Sequence, residues 1–459
     1  MTGSPLFDPL FGADTVSRAC DDAAWVNAML EVEVALSVAA ARVGVIPRDD
    51  PARIAAAAAD LSIDPADLGA ASVAGGNPVI PLVTLLRDAA HARGAQRSSV
   101  HPGATSQDVL DTAMVLLVRR AGDEVLDILA DAARAARDLA VAHRDTVMVA
   151  RTLGQQALPT TFGALAAGWA LDLATARRDL MTSITALPVQ FGGAAGTLAA
   201  VHPAGLRMAD ALADELGLPL STIGWHTHRL PLTRLAGAVG EVANATEKAA
   251  TDIVAMAATE VGEVSEGASG GSSAMPHKQN PIAAITARAN ARRALGPITV
   301  VISTADHESA RAAGPWHAQW QAVTELLTTS GAAAARLRDS LCGLQIHTDA
   351  MRANLDLTGG MLLAERVTVA LRDHVDDARA IVTDAARHHR RLDEDPAITA
   401  HLSPATLAEL LDPTGYTGHA ADFAERGVAA VDALLDTTDA PDSESESESE
   451  SEGASHAQR

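Results

Sequence analysis

The apolar side chains fall along the chain in the rhythm of a succession of helices. Between Asp21 and Val43, Trp25, Met29, Val32, Leu36, Ala39 and Val43 recur every three or four residues, which places them on one helical face. Gly44 and Pro47 end that run. Residues 1–20, interrupted by Pro5, Pro9 and two glycines, read as loop. Short helices are expected at 50–61 and 79–93, on either side of Gly75-Gly76-Asn77-Pro78, and close a small N-terminal domain near residue 105. Thr105 and Asp108 have the spacing of a capping box, and the pattern behind them predicts one long helix to about His143. Further helices are expected at 159–187, 202–217, 231–265 and 281–307, and a last long one continues to about Cys342. The segment from Val147 to Gly163 reads as a turn between helices. Gly359-Gly360-Met361 opens a smaller helical domain that ends near residue 436. The expected fold is therefore all-α, in three domains (1–105, 106–358 and 359–436) followed by a tail, 437–459.

Composition narrows the picture. Hydrophobic residues make up 48% of the chain but aromatic ones only 2%, which favours helices packed closely through small side chains. The net charge of −23 argues against a nucleic-acid partner, since phosphate backbones need a basic surface. It leaves room for a local cationic pocket and a small anionic substrate. With only Cys20 and Cys342 there is no disulfide framework, and a reducing, cytoplasmic setting is expected. No metal is expected: His226 and His228 form a pair with no third ligand in view. Neither a secretory leader nor an uncharged apolar run long enough to span a membrane is evident. Ser443 to Glu452 is a strict Ser-Glu repeat, expected to be disordered.

Candidate chemistry gathers first in Gly270-Gly271-Ser272-Ser273-Ala274-Met275-Pro276-His277-Lys278-Gln279-Asn280-Pro281. Glycines and prolines make this a loop, and its hydroxyls, its one cation and its amide suit an anionic substrate. The loop resembles the signature loop of the fumarase/aspartase superfamily, G-S-S-x-M-P-x-K-x-N-P. The resemblance implies homotetramers of helical subunits, the bundles of four subunits forming the core, with each site shared between subunits. It also implies proton transfer at a carbon next to a carboxylate, with Ser272 and Lys278 as catalytic residues and Asn280 on a substrate carboxylate.

Two other stretches resemble that superfamily's first and second regions. In His101-Pro102-Gly103-Ala104-Thr105-Ser106-Gln107-Asp108, Thr105 and Ser106 would hold a carboxylate at a helix start, with His101 nearby. In Arg151-Thr152-Leu153-Gly154-Gln155, Thr152 and Gln155 are polar contacts, while Leu153 stands where the superfamily's lyases carry an acid/base histidine. The glutamate that orients that histidine falls on Ile285, so both members of the pair are missing. Arg229 is a candidate carboxylate contact. Arg311 lies in a segment, Glu308 to Trp320, that resembles the E-R-x-x-G-x-W-x-x-E-W pattern of 3-carboxymuconate cycloisomerases, with Gln319 where glutamate is usual. The resemblance points to lactonisation of a tricarboxylate, 3-carboxy-cis,cis-muconate, without a cofactor. An adenylosuccinate-lyase-type C–N elimination and a catalytically silent scaffold are the alternatives.

Overall fold

The computed structural model describes residues 6–12, 14–268, 270, 275 and 277–439. In chain order its longer elements are α1 (Asp22–Arg42), α2 (Asp50–Asp60), α3 (Val79–Ala92), α4 (Ser106–Ala142), β1 (Val147–Thr152), β2 (Gln155–Thr161), α5 (Phe162–Thr185), α6 (Gly205–Leu216) and α7 (Leu230–Met256). They continue with β3 (Val264–Glu266), α8 (Ile282–Ser303), α9 (Pro315–Cys342), β4 (Leu344–Ile346), α10 (Ala364–Leu371), α11 (Ala378–Arg387), α12 (Pro404–Leu410) and α13 (Ala420–Asp439). The fold is all-α, and among the described residues strands are confined to two small antiparallel pairs, β1 with β2 and β3 with β4. The chain divides into two compact units, Met1–Ala135 with Asp179–Ala350, and Ala136–Arg178 with Met351–Arg459.

In the first unit α7, α8 and α9 pack side by side. Ala243, Ala291, Ala294 and Ala333 are buried together between them, so small side chains let the helix backbones approach. This is where the alanine-rich, aromatic-poor composition acts. Helix α1 is long and apolar enough, by length and composition, to cross a membrane. The fold instead buries most of it, Glu33 included, inside this unit. Cys20 and Cys342 are both free, and burial pushes the Cys20 thiol up to about 12.

In the second unit, Val149 of β1 packs on Leu355, Leu362 and Leu363. A further core joins α10, α11 and α12 through Val367, Leu371, Val382 and Leu407.

Three expectations are corrected here. Residues 1–20 include short helices, Asp8–Phe11 and Asp14–Ala19; Pro9 sits in a first helical turn, where a missing N–H costs nothing. The stretch expected as an inter-helix turn at 147–163 is the β1–β2 hairpin. Leu153 and Gly154 at its tip have φ of 51° and 77°, the left-handed pair that two-residue hairpin turns require. The expected helix at 231–265 also stops earlier, at Met256, because Val264–Glu266 pairs as β3 with β4.

Candidate active site

The first turn of α4 is the most elaborate polar region of the first unit. From Gln107 to Val118 the helix is buried all round, so every polar side chain there must find an internal partner. Asp108 completes half of the capping box by accepting from the Thr105 N–H at 3.0 Å. The same carboxylate accepts from the Gly192 and Gly193 N–H groups at 3.0 and 2.9 Å and lies 2.6 Å from His226 Nε2. The Gly192–Gly193 turn is held on α4 by Thr112 as well, whose hydroxyl donates to the Gln190 carbonyl at 3.1 Å. Glycine is needed at both facing positions. A Cβ on Gly193 (φ 71°) would meet the Gly103 carbonyl at 2.9 Å, and one on Gly103 (φ 71°) would meet Val201 at 2.5 Å.

One turn further on, Asp111 accepts from Arg229 through both terminal nitrogens, at 2.6 and 3.1 Å, and neither side chain has any exposed surface. Trp316 Nε1 (3.0 Å) and Gln107 Nε2 (3.1 Å) complete the shell of Asp111. Arg229 Nε donates to Gln319 Oε1 at 3.0 Å, and the guanidinium lies over the Trp225 ring. This corrects the expectation for Arg229. The carboxylate it holds belongs to Asp111, and a guanidinium sealed in that pairing has no face to offer a substrate. The bidentate geometry makes it a rigid brace between α4 and the start of α7.

Arg311 and His101 border this braced region and remain partly open. Arg311 donates to Gln107 Oε1 at 2.8 Å and to the Gly193 and Ala194 carbonyls at 2.5 and 3.1 Å, which places it over the first turn of α4. All three acceptors are neutral, so among the described residues no carboxylate within hydrogen-bond reach cancels its charge. Partial burial pulls its pKa down, while Asp108 and Asp111 push it up. His101 lies just before α4, with Nδ1 2.6 Å from the Glu33 carboxylate of α1. Thr105 and Ser106 are half-buried at the helix start between these groups in sequence. A guanidinium, an imidazole, two hydroxyls and a helix N-terminus make an arrangement that can hold carboxylates.

Of the signature loop, Gly271 to Ala274 and Pro276 lie outside the described residues, Ser272 with them. Its base is described. Gly270 and Asn280 pair through backbone bonds of 3.0 and 3.1 Å, and Asn280 Nδ2 donates to the Gly270 carbonyl at 3.0 Å. Lys278 is exposed. Beyond the base, Glu266 caps α8, accepting from the Ala283 and Ala284 N–H groups at 3.0 and 2.8 Å and from Ser340 at 2.6 Å.

Thr152 and Gln155 are exposed in the second unit and flank the hairpin tip, where Leu153 is fully exposed at 103%. Ile285 is 42% exposed on α8. Among the described residues no cluster could hold a metal ion; His226 is committed to Asp108.

Sequence reasoning weighed His226 only as a metal ligand and passed over Gln107, Asp111 and Glu33. Their signal was the placement of polar residues inside otherwise apolar helical stretches, which obliges each of them to have a buried partner.

Long helices packed through alanines, a braced first region and a loop of signature type define a class, the helical lyases of the fumarase/aspartase superfamily, and the chain belongs to it. A family model described as lyase matches residues 6–296. The chain is 41% identical over 456 residues to the nitrosuccinate lyase of Streptomyces davaonensis, covering 94% of this chain and 96% of that protein. It is also 41% identical over 451 residues to the 3-carboxy-cis,cis-muconate cycloisomerase of Bradyrhizobium diazoefficiens, covering 95% and 98%. The crystal structure of the 3-carboxy-cis,cis-muconate lactonizing enzyme of Pseudomonas putida superposes with a TM-score of 0.87 at 34% identity, over 94% of this chain and all of that one. The chain is thus an enzyme of the lyase and cycloisomerase type.

Proposed function

We propose that the chain is a lactonising cycloisomerase, converting 3-carboxy-cis,cis-muconate to 4-carboxymuconolactone in the breakdown of aromatic compounds, as a homotetramer whose sites draw on several subunits. The observation that carries this reading is the pair Leu153 and Ile285. Neither side chain can transfer or orient a proton, and losing a positioned acid or base typically costs roughly 10²–10⁴-fold. The reaction must therefore be one that needs no acid for a leaving group. Lactonisation is such a reaction. A substrate carboxylate, ionised at neutral pH, forms the new C–O bond. The displaced π electrons become an enolate-like charge beside a second carboxylate, and one proton is delivered to the carbon between them. Lys278, Asn280 and the loop N–H groups would stabilise that charge, and Ser272 would deliver the proton. His101, Thr105, Ser106 and Arg311 would hold carboxylates, with Thr152 and Gln155 as further contacts.

The same observation favours one other reading, elimination of nitrite from nitrosuccinate. Nitrite is a weak base and leaves as an anion without being protonated, so this C–N cleavage also dispenses with the missing pair. It would reuse Ser272 and Lys278 in the opposite sense, removing a proton beside a carboxylate. Identity of 41% to relatives of both kinds supports each reading alike. The deciding experiment offers the purified enzyme both substrates. Loss of the conjugated-diene absorbance of 3-carboxy-cis,cis-muconate, with no nitrite from nitrosuccinate, is the expected outcome. Nitrite release without lactonisation replaces the first reading by the second.

A further inference from the structure

The superfamily's lyases are implied to work through a histidine steadied by a glutamate, and the positions for that pair are here Leu153 and Ile285. The fold nevertheless contains a histidine steadied by a glutamate, in a different place. Glu33, in the middle of α1, has no exposed side-chain surface, and its carboxylate lies 2.6 Å from His101 Nδ1. Its second oxygen, Oε2, is buried without a hydrogen-bond partner among the described residues. A buried carboxylate with a single partner is tolerable only if that partner brings a compensating charge. His101 is held at φ 63°, an uncommon conformation for a residue with a side chain, and such strain persists where the surroundings impose it. The ring keeps 17% of its side-chain surface open, and Nε2 has no protein partner among the described residues. The chain therefore builds a buried anchor on one ring nitrogen and leaves the other free, four residues before Thr105.

We propose that Glu33 is a positioning residue: through Nδ1 it fixes the His101 ring and keeps it cationic, so that the Nε2–H holds a substrate carboxylate at the start of α4. This deepens the reading above and rests on its polycarboxylate substrate. The charged groups facing His101 are Glu33 on α1, Asp108 on α4 and Arg87 on α3. Burial opposes the charged ring and so does Arg87, but Glu33, by charge and hydrogen bond, and Asp108 together carry the pKa above its ordinary 6.5. The cation is present below that raised value and is lost as pH climbs through it. Carboxylate binding must weaken over the same interval.

The test compares Glu33→Gln, which keeps the shape and an acceptor for Nδ1–H but removes the charge, with Glu33→Asp and His101→Gln. The His101 titration is followed by NMR, and kcat and KM are measured across pH. In Glu33→Gln the His101 pKa falls by about one unit or more, since the burial penalty remains and the charge does not. The alkaline limb of kcat/KM moves to lower pH with it. At neutral pH KM rises about tenfold while kcat stays within about twofold. Glu33→Asp recovers part of the loss, and Glu33→Gln adds nothing further in a His101→Gln background. An unchanged His101 titration, or equal losses in kcat and stability with an unmoved pH profile, would make Glu33 merely structural and overturn the proposal. If the wild type turns over neither candidate substrate, the functional reading fails separately. Tricarballylate, an unreactive tricarboxylate, then serves as the probe. It must raise the His101 pKa in the wild type and bind about tenfold more weakly to Glu33→Gln; failure of either sinks the anchor itself.

Discussion

The start of α4 and the tip of the β1–β2 hairpin both fall in regions where the superfamily places substrate contacts, yet they are built in opposite ways. At α4 nearly every polar atom is already spoken for. Asp108 serves four partners and Asp111 is sealed against Arg229, Gln107 and Trp316. At the hairpin Thr152, Leu153 and Gln155 are exposed. The difference separates two jobs that polar residues do. A saturated buried network cannot bind anything new, but it holds His101, Thr105, Ser106 and Arg311 in fixed places. An exposed tip contributes little to stability and is free to meet a substrate. Polarity alone does not mark a binding residue; unspent hydrogen-bonding capacity does.

The strongest way to break this contrast is Asp111→Ala. It strands the Arg229 charge in the interior, and about 3–5 kcal/mol of stability should be lost, read as a lowered denaturant midpoint with unchanged slope. A loss below about 1 kcal/mol would mean that the pairing is not the brace described here. Next comes the opposite behaviour at the tip. Gln155→Ala should leave the unfolding free energy within about 0.5 kcal/mol of wild type, as exposed positions do. If Gln155 contacts substrate, the same change raises KM about tenfold, and an unaltered KM removes it from the site. An effect of the opposite sign, smaller than that on KM, is expected at Leu153. Its side chain is fully solvent-exposed and its φ of 51° suits asparagine better than leucine. Leu153→Asn should therefore stabilise the hairpin, by up to about 1 kcal/mol, visible as slower amide exchange in β1 and β2. Destabilisation there would show that Leu153 does more than close a turn.

Much of the fold was legible in advance because helical periodicity is a short-range signal. The helix expected from Asp21 to Val43 spans Asp22–Arg42, and the capping-box spacing of Thr105 and Asp108 locates the start of α4. The hairpin was not legible. Pro159 sits inside β2, and Leu153-Gly154 lacks the asparagine or aspartate that usually marks a two-residue turn. Arg229 was misread for a different reason. In the sequence it is a cation beside two histidines, and the carboxylate that claims it is 118 positions away. Pairings at that range leave no periodic trace. Glu33 and His101, 68 residues apart, were invisible as a pair on the same ground.

One detail at the base of the signature loop bears on which anions the enzyme admits. The N-terminus of α8, immediately after Pro281, already carries a resident anion. Glu266 holds the Ala283 and Ala284 N–H groups and is itself held by Ser340. Because Glu266 is tethered, it competes at a local concentration that no dissolved metabolite reaches. A substrate carboxylate arriving there would be an intruder at an occupied berth. The field of this helix end is thus already spent on Glu266, and an incoming anion must be met by side chains instead.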